Sequence, residues 1–301
     1  MSPGHDAVAS PGVDAPLVAS VGVVPVEVDD PTAPQGSAAL RELQGLTLLH
    51  RAVAALTASG VVRRVVVVTP PELDLTVRAA LSTLPIITPV AVGVAPLAAA
   101  GPVERILTAL RTPTTGVDPG DDIVVVHDPL YPLAPAGLVR SVVGELAASP
   151  AAVAAVPGGP VTDTLKWVDH GEVVRDTADR EQYRLIVSPQ AYRRGGLLAM
   201  QATADTAAPD GPGVDLLPRL VAAGRGRVRI VPVATGDAVR VGTTDEVRLA
   251  DALMAADALM AADGLRAADG LMAADAGARL TPGDPHVPSA TARPPRGRAD
   301  R

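Results

Sequence analysis

Consecutive Val and Ile residues, bounded by turn formers and spaced by longer helical stretches, constrain this chain most. Ile123-Val-Val-Val126 is apolar at every position rather than at alternate ones. Such a strand is buried on both faces, the situation of a parallel sheet whose helical crossovers cover both sides. The pattern predicts strands over Val18–Val26, Val61–Thr69, Ile87–Val94, Ile123–Val126, Ala151–Val156 and Arg227–Val233. Helices with apolar residues at three- and four-residue intervals fit at Leu46–Ser59, Glu72–Leu84, Val103–Arg111, Pro135–Ser149, Tyr192–Ala204 and Val214–Ala223. Strands alternating with helices define the α/β class with a mostly parallel central sheet.

The 301 residues are enough for one large domain or two small ones. No Phe is present and the apolar 48% is mainly Ala, Val and Leu, so the core is filled by small aliphatic side chains. Net charge is −7, without a basic stripe or interleaved aromatic residues, which argues against nucleic acid as a partner. Without cysteine there is no disulfide, thiolate metal site or Cys nucleophile, and the five His lack ligand spacing. The first 16 residues lack a basic, then apolar, leader pattern, and no later run is long and apolar enough for a bilayer. These features predict a cytoplasmic protein with no membrane partner.

Four segments follow: a disordered start over 1–16, a folded domain over 17–250, a helical tail over 251–280 and a disordered end over 281–301. Within the domain, residues 160–189 change to polar–apolar alternation, predicting a hairpin that turns at His170-Gly171. It reads either as an ordinary edge hairpin or as an arm projecting from the sheet. The tail repeats a hexapeptide beginning Asp-Ala-Leu-Met-Ala-Ala at 251 and 257. Six residues advance each Leu by about 240° around a helix, so no single apolar stripe forms.

Two constellations carry chemistry. In Val126-His-Asp128, a buried strand ends in a carboxylate at the carboxyl edge of the sheet, where ligands of open α/β folds bind. Asp128 there suits a divalent cation or a substrate hydroxyl; alternatively it caps a turn beside Pro129. The second is Asp163-Thr164-Leu-Lys166, Thr177-Ala-Asp179-Arg180 and Ser188-Pro-Gln190, hydroxyls and cations suited to phosphate.

Together with Ala238-Val-Arg240-Val-Gly-Thr-Thr-Asp245-Glu, these segments resemble, in order and spacing, the signatures of the methylerythritol phosphate cytidylyltransferase family, over roughly Val18–Met254. The resemblance implies a Rossmann-like nucleotidyltransferase domain of the glycosyltransferase-A type with a projecting β-arm. It implies a transferase of isoprenoid biosynthesis that joins CTP to 2-C-methyl-D-erythritol 4-phosphate and releases pyrophosphate, with Mg²⁺, as a homodimer through the arm. By position, Asp128, Arg180 and Arg240 are the implied catalytic residues and Asp128 the implied metal ligand. Thr164 and Arg180 correspond to arm residues that reach the partner subunit's substrate, and Ser188 and Arg240 to residues associated with the sugar phosphate. The three charged groups at 128, 180 and 240 are therefore expected to converge on one cleft.

The nucleotide side departs from the family pattern. Its Gly-rich loop is replaced by Val24-Pro-Val-Glu27-Val-Asp29-Asp30-Pro31, with no glycine after Gly22 until Gly36, and the Lys that follows is missing. Arg41 and Arg105 are the cations left near the expected nucleotide contacts. Three carboxylates there are expected to cost a polyanion about 1–4 kcal/mol apiece at surface-like dielectric. This leaves an alternative to catalysis: an impaired or inactive homologue acting as a phosphosugar-binding module or regulatory dimer partner.

Overall fold

A computed structural model describes residues 20–30, 32–82, 91–98, 102–112, 122–201, 216–222, 224 and 226–259. The predicted disordered ends, the strand start over 87–90 and most of the hexapeptide tail lie outside the described residues. Two compact units are defined, Met1–Leu253 and Met254–Arg301; in the second, residues 254–259 are helical.

The first unit is built on an eight-stranded sheet. Strands β1 (Ser20–Pro25), β4 (Arg64–Thr69), β5 (Ala91–Pro96) and β6 (Ile123–Val126) run parallel. The sheet continues through β11 (Gln190–Arg193), β7 (Ala152–Pro160), β10 (Arg184–Ile186) and β12 (Arg227–Pro232), in the order β10-β7-β11-β6-β1-β4-β5 with β12 beside β7. Among these strands only β10 and β11 are antiparallel to their neighbours, while β12 runs parallel to β7.

Alternate side chains of each central strand feed two cores. Val24, Val65, Val67, Ile123 and Val125 pack with α1 (Leu48–Ala58), α2 (Asp74–Ser82) and α4 (Ala136–Ala148) on one face. Val21, Val23, Val66, Val68, Val124 and Val126 pack with α3 (Pro102–Arg111), α5 (Arg194–Gln201) and α6 (Leu217–Ala222) on the other. Fully burying each Leu or Ile contributes about 1.5–3 kcal/mol, so the continuous apolar strands drive this three-layer arrangement.

Local signals set the helix ends. Thr47 caps α1: its hydroxyl accepts the His50 N–H at 3.1 Å while the His50 ring accepts the Thr47 N–H at 3.3 Å. Gly22 on β1 lets α1 approach, since a Cβ there would stand 2.9 Å from Leu56 Cδ1.

Chain order creates the crevice. From β1 the chain moves outward through β4 to β5, then returns through α3 to β6 on the opposite side of β1. The carboxyl ends of β1 and β6 therefore flank a topological switch point, where ligands of such sheets bind.

Two expectations are corrected. Tyr192 and Arg193 belong to β11, not to the helix predicted from Tyr192, because Gln190–Arg193 fills the gap between β6 and β7 and tertiary pairing overrides local propensity. Leu46 and Thr47 likewise form β3 (Leu46–Thr47) with β2 (Glu42–Leu43) before α1 begins. The segment between β7 and β10 is a separate two-stranded ribbon, β8 (Lys166–Val168) with β9 (Val174–Thr177), turning at His170-Gly171 as predicted. Asp169 Oδ1 accepts the N–H groups of Gly171 and Val173 at 2.9 and 3.1 Å, which fixes that turn.

Candidate active site

A cavity of about 870 Å³ opens at the switch point. It is lined by the loop that leaves β1, the Asp128–Leu130 turn after β6 and residues between Arg240 and Arg248.

Asp128 sits in that turn with 8% exposure. Its Oδ1 accepts the Leu130 N–H at 2.9 Å, and its own N–H donates to the Ser188 hydroxyl at 2.8 Å. Burial raises its pKa above the usual carboxylate value; the Leu130 N–H and the Arg240 charge oppose that, and Asp29 reinforces it. The preceding His127 is fully buried, which holds its pKa down to about 3 and keeps the ring neutral. Its Nδ1 lies 3.0 Å from Ser188 Oγ, and its Nε2 has no hydrogen-bond partner among the described residues.

Arg240 also lines the cavity, close enough for its charge to act on both Asp128 and Glu246. Val241 fixes its position by donating its N–H to the Leu130 carbonyl at 2.7 Å, tying the two loops together. The guanidinium rests over Gly242, where an added Cβ would stand 3.0 Å from Nη1. A helix over 244–253 follows. Thr243 and Glu246 cap its start: the Glu246 carboxylate accepts the Gly242 and Thr243 N–H groups at 2.7 and 2.8 Å, and the Thr243 hydroxyl accepts the Glu246 N–H. The Thr-x-x-Glu spacing was the available sequence signal for that cap.

The acidic loop is not the unmatched cluster that its sequence suggests. Glu27 pairs with Arg105, whose Nε donates at 3.0 Å, and Asp30 pairs with Arg41. Asp29 Oδ1 accepts the Ala38 N–H at 2.9 Å. The Thr32 hydroxyl and then the Arg41 guanidinium hold the Asp30 pKa down to about 2, whereas burial raises that of Glu27 despite Arg105. The expected repulsion is thus corrected: two of the three charges meet guanidinium partners inside the chain. Those partners are the cations expected on the nucleotide. Arg105 is buried against Glu27 and does not line the cavity, and Arg41 lines it while bound to Asp30, Thr32 and Thr244.

The structure brings Asp128 and Arg240 together, but not Arg180. Arg180 is exposed on the arm, donating to the Thr162 carbonyl, and neither it nor Thr164 is among the residues that line the cavity. Ser188 also lies off the cavity surface, buried beneath Asp128. Among the described residues no group of three His, Cys, Asp or Glu side chains could hold a metal. One carboxylate oxygen of Asp128 has no hydrogen-bond partner among the described residues, a hard donor that fits Mg²⁺ if substrate and water oxygens complete the shell. No helix among the described residues is long and apolar enough to cross a membrane.

A doubly wound, mostly parallel sheet with a carboxylate and an arginine facing each other at its switch point defines an α/β domain of the nucleotidyltransferase class. The profile of the 2-C-methyl-D-erythritol 4-phosphate cytidylyltransferase family matches residues 34–256. The chain belongs to that family. The enzyme of that name from Rhodococcus jostii is 37% identical over 173 residues, 58% of this chain and 70% of the relative. The Thermus thermophilus crystal structure of the same name is 26% identical, with a TM-score of 0.55, over 78% of this chain and 98% of that one. At 16% identity, the 4-diphosphocytidyl-2C-methyl-D-erythritol synthase from Anaerococcus prevotii shares the fold, with a TM-score of 0.63 over 79% of this chain and 99% of its own.

Proposed function

We infer that the chain is a CTP-dependent 2-C-methyl-D-erythritol 4-phosphate cytidylyltransferase of isoprenoid precursor synthesis. The observation that carries this is the meeting of two family signatures, Asp128 and Arg240, across one cavity at the β1/β6 switch point. A phosphate oxygen of the acceptor forms the new bond to the α-phosphorus of CTP, and pyrophosphate departs with the electrons of the broken bond. Positioning and charge neutralisation supply most of such a rate enhancement.

Asp128, oriented through Ser188 and Leu130, presents its carboxylate where the donor and acceptor phosphates meet. Arg240, over Gly242, holds the acceptor phosphate. Mg²⁺, bound through Asp128 and phosphate oxygens, would supply neutralisation of the phosphate charge. Arg41 contributes a weaker contact to the nucleotide, since Asp30 already engages it.

Thr164 and Arg180 serve a second subunit's site, and Trp167, Val174, Tyr183 and Leu185, all about half or more exposed on or beside the arm, supply the apolar surface for a homodimer. The protein works in the cytoplasm. The alternative of a non-catalytic phosphosugar-binding partner draws no support from the relatives or the structural neighbours. Pyrophosphate release that requires CTP, methylerythritol phosphate and Mg²⁺ together tests the assignment; absence of release at high enzyme concentration overturns it.

A further inference from the structure

The family's glycine cradle is absent, and the cavity presents Glu27, Asp29, Asp30, Asp128 and Asp245 against the guanidiniums of Arg41, Arg240 and Arg248. Among the described side chains that line the cavity, these three guanidiniums are the cations that a triphosphate can meet. Arg41 is committed to Asp30, with side-chain exposures of 10% and 22%, so displacing it leaves a poorly hydrated carboxylate beside the ligand. The Gly242 and Thr243 N–H groups ahead of the helix over 244–253 are already taken, since Glu246 accepts both. Arg240 acts on Asp128, and on the cytidylyltransferase reading it serves the acceptor phosphate.

Arg248 differs on each count. Among the described residues its ion pair is with Asp245, and the two side chains are 75% and 88% exposed. Such a pair is screened and worth little, so exchanging Asp245 for phosphate costs little. Four residues separate Arg248 from Thr244, placing both on one face of the helix, and the Thr244 hydroxyl accepts Arg41 Nη1 at 3.0 Å. Arg248 therefore faces the acidic loop and Arg41, on the donor side of the cavity.

We propose that Arg248 binds the phosphate chain of the nucleoside triphosphate donor, taking over from the helix wall the charge neutralisation that the altered loop no longer provides. A guanidinium suits this role, since two parallel N–H donors match two phosphate oxygens. The inference rests on the cytidylyltransferase reading for the identity of the donor, and makes Arg248 a binding residue rather than a group that acts on the reacting phosphorus.

Steady-state pyrophosphate release by the full chain with CTP, acceptor and Mg²⁺ tests it. Arg248→Ala should raise the KM for CTP by about ten-fold or more while leaving the acceptor KM within about two-fold, and Arg248→Lys should recover part of the loss. Asp245→Asn, which releases the guanidinium, should shift the KM for CTP the other way. An unchanged CTP KM in Arg248→Ala, or a rise in the acceptor KM alone, overturns the proposal. Calorimetry with CTP and Mg²⁺ separates the two readings: wild-type binding lost in Arg248→Ala without turnover sinks the cytidylyltransferase assignment and retains Arg248. No CTP binding by the wild type sinks both.

Discussion

The Ser188 hydroxyl accepts the backbone N–H of Asp128 at 2.8 Å and lies 3.0 Å from the ring of His127, so one side chain holds the turn that aims the acidic group. Ser188→Ala leaves a buried N–H without a partner, which costs about 1–3 kcal/mol. The expected outcome is a lower urea midpoint together with a kcat that falls more than the KM for CTP, because Ser188 lies off the cavity surface. Ser188→Thr, which keeps the hydroxyl, should restore kcat. A KM effect as large as the kcat effect would place Ser188 on the substrate instead.

Asp128→Asn separates charge from shape. Burial disfavours the charged carboxylate, as its raised pKa records, so the neutral isostere should keep or raise the thermal midpoint. Turnover should fall on the order of 10²-fold or more, with the dependence on Mg²⁺ weakened. Retained turnover with unaltered metal dependence would remove Asp128 from the chemistry.

Gly242→Ala places a Cβ 3.0 Å from Arg240 Nη1, against the mobile end of a long side chain. The guanidinium should swing aside at little cost to folding. The KM for methylerythritol phosphate is then expected to rise about three- to ten-fold with the melting temperature nearly unchanged. Steady-state kinetics with the acceptor varied checks this.

Acid should loosen the loop. The pKa of Asp30 in the folded chain is about 2 against an ordinary 3.8, held down by Thr32 and Arg41. A depressed carboxylate contributes stability above its unfolded value, and that contribution is lost as pH falls from about 4 through 2. Denaturant midpoints measured across that interval should drop less steeply for Asp30→Asn than for the wild type. Parallel curves would show that Asp30 carries no share of the acid sensitivity.

The central sheet was legible because Ile123–Val126 is apolar at every position and coincides with β6. Its edges were less so: Gln190–Arg193 is short, begins with a polar residue and runs directly into α5, so only pairing with β6 and β7 marks it as a strand. Asp128 and Arg240 could be placed in one site from family spacing, and the structure faces them across one cavity. The pairing of Glu27 with Arg105 spans 78 positions, a contact that no local spacing encodes. For that reason a loop whose ion pairs are internal reads in one dimension as unrelieved negative charge. Ser188 shows the same limit, since a hydroxyl at a strand end looks alike whether it faces a ligand or lies beneath one.

The β1 loop is pinned at Glu27, Asp29 and Asp30, each to a different part of the chain. A glycine-rich segment is supple until a ligand freezes it, whereas this one has already surrendered its backbone freedom during folding. Association with the donor then carries little ordering penalty, and free and occupied forms should superpose closely along residues 26–30. Along this loop, discrimination among nucleotides is then expected to rest on a preformed shape and charge instead of on a wrap-around closure.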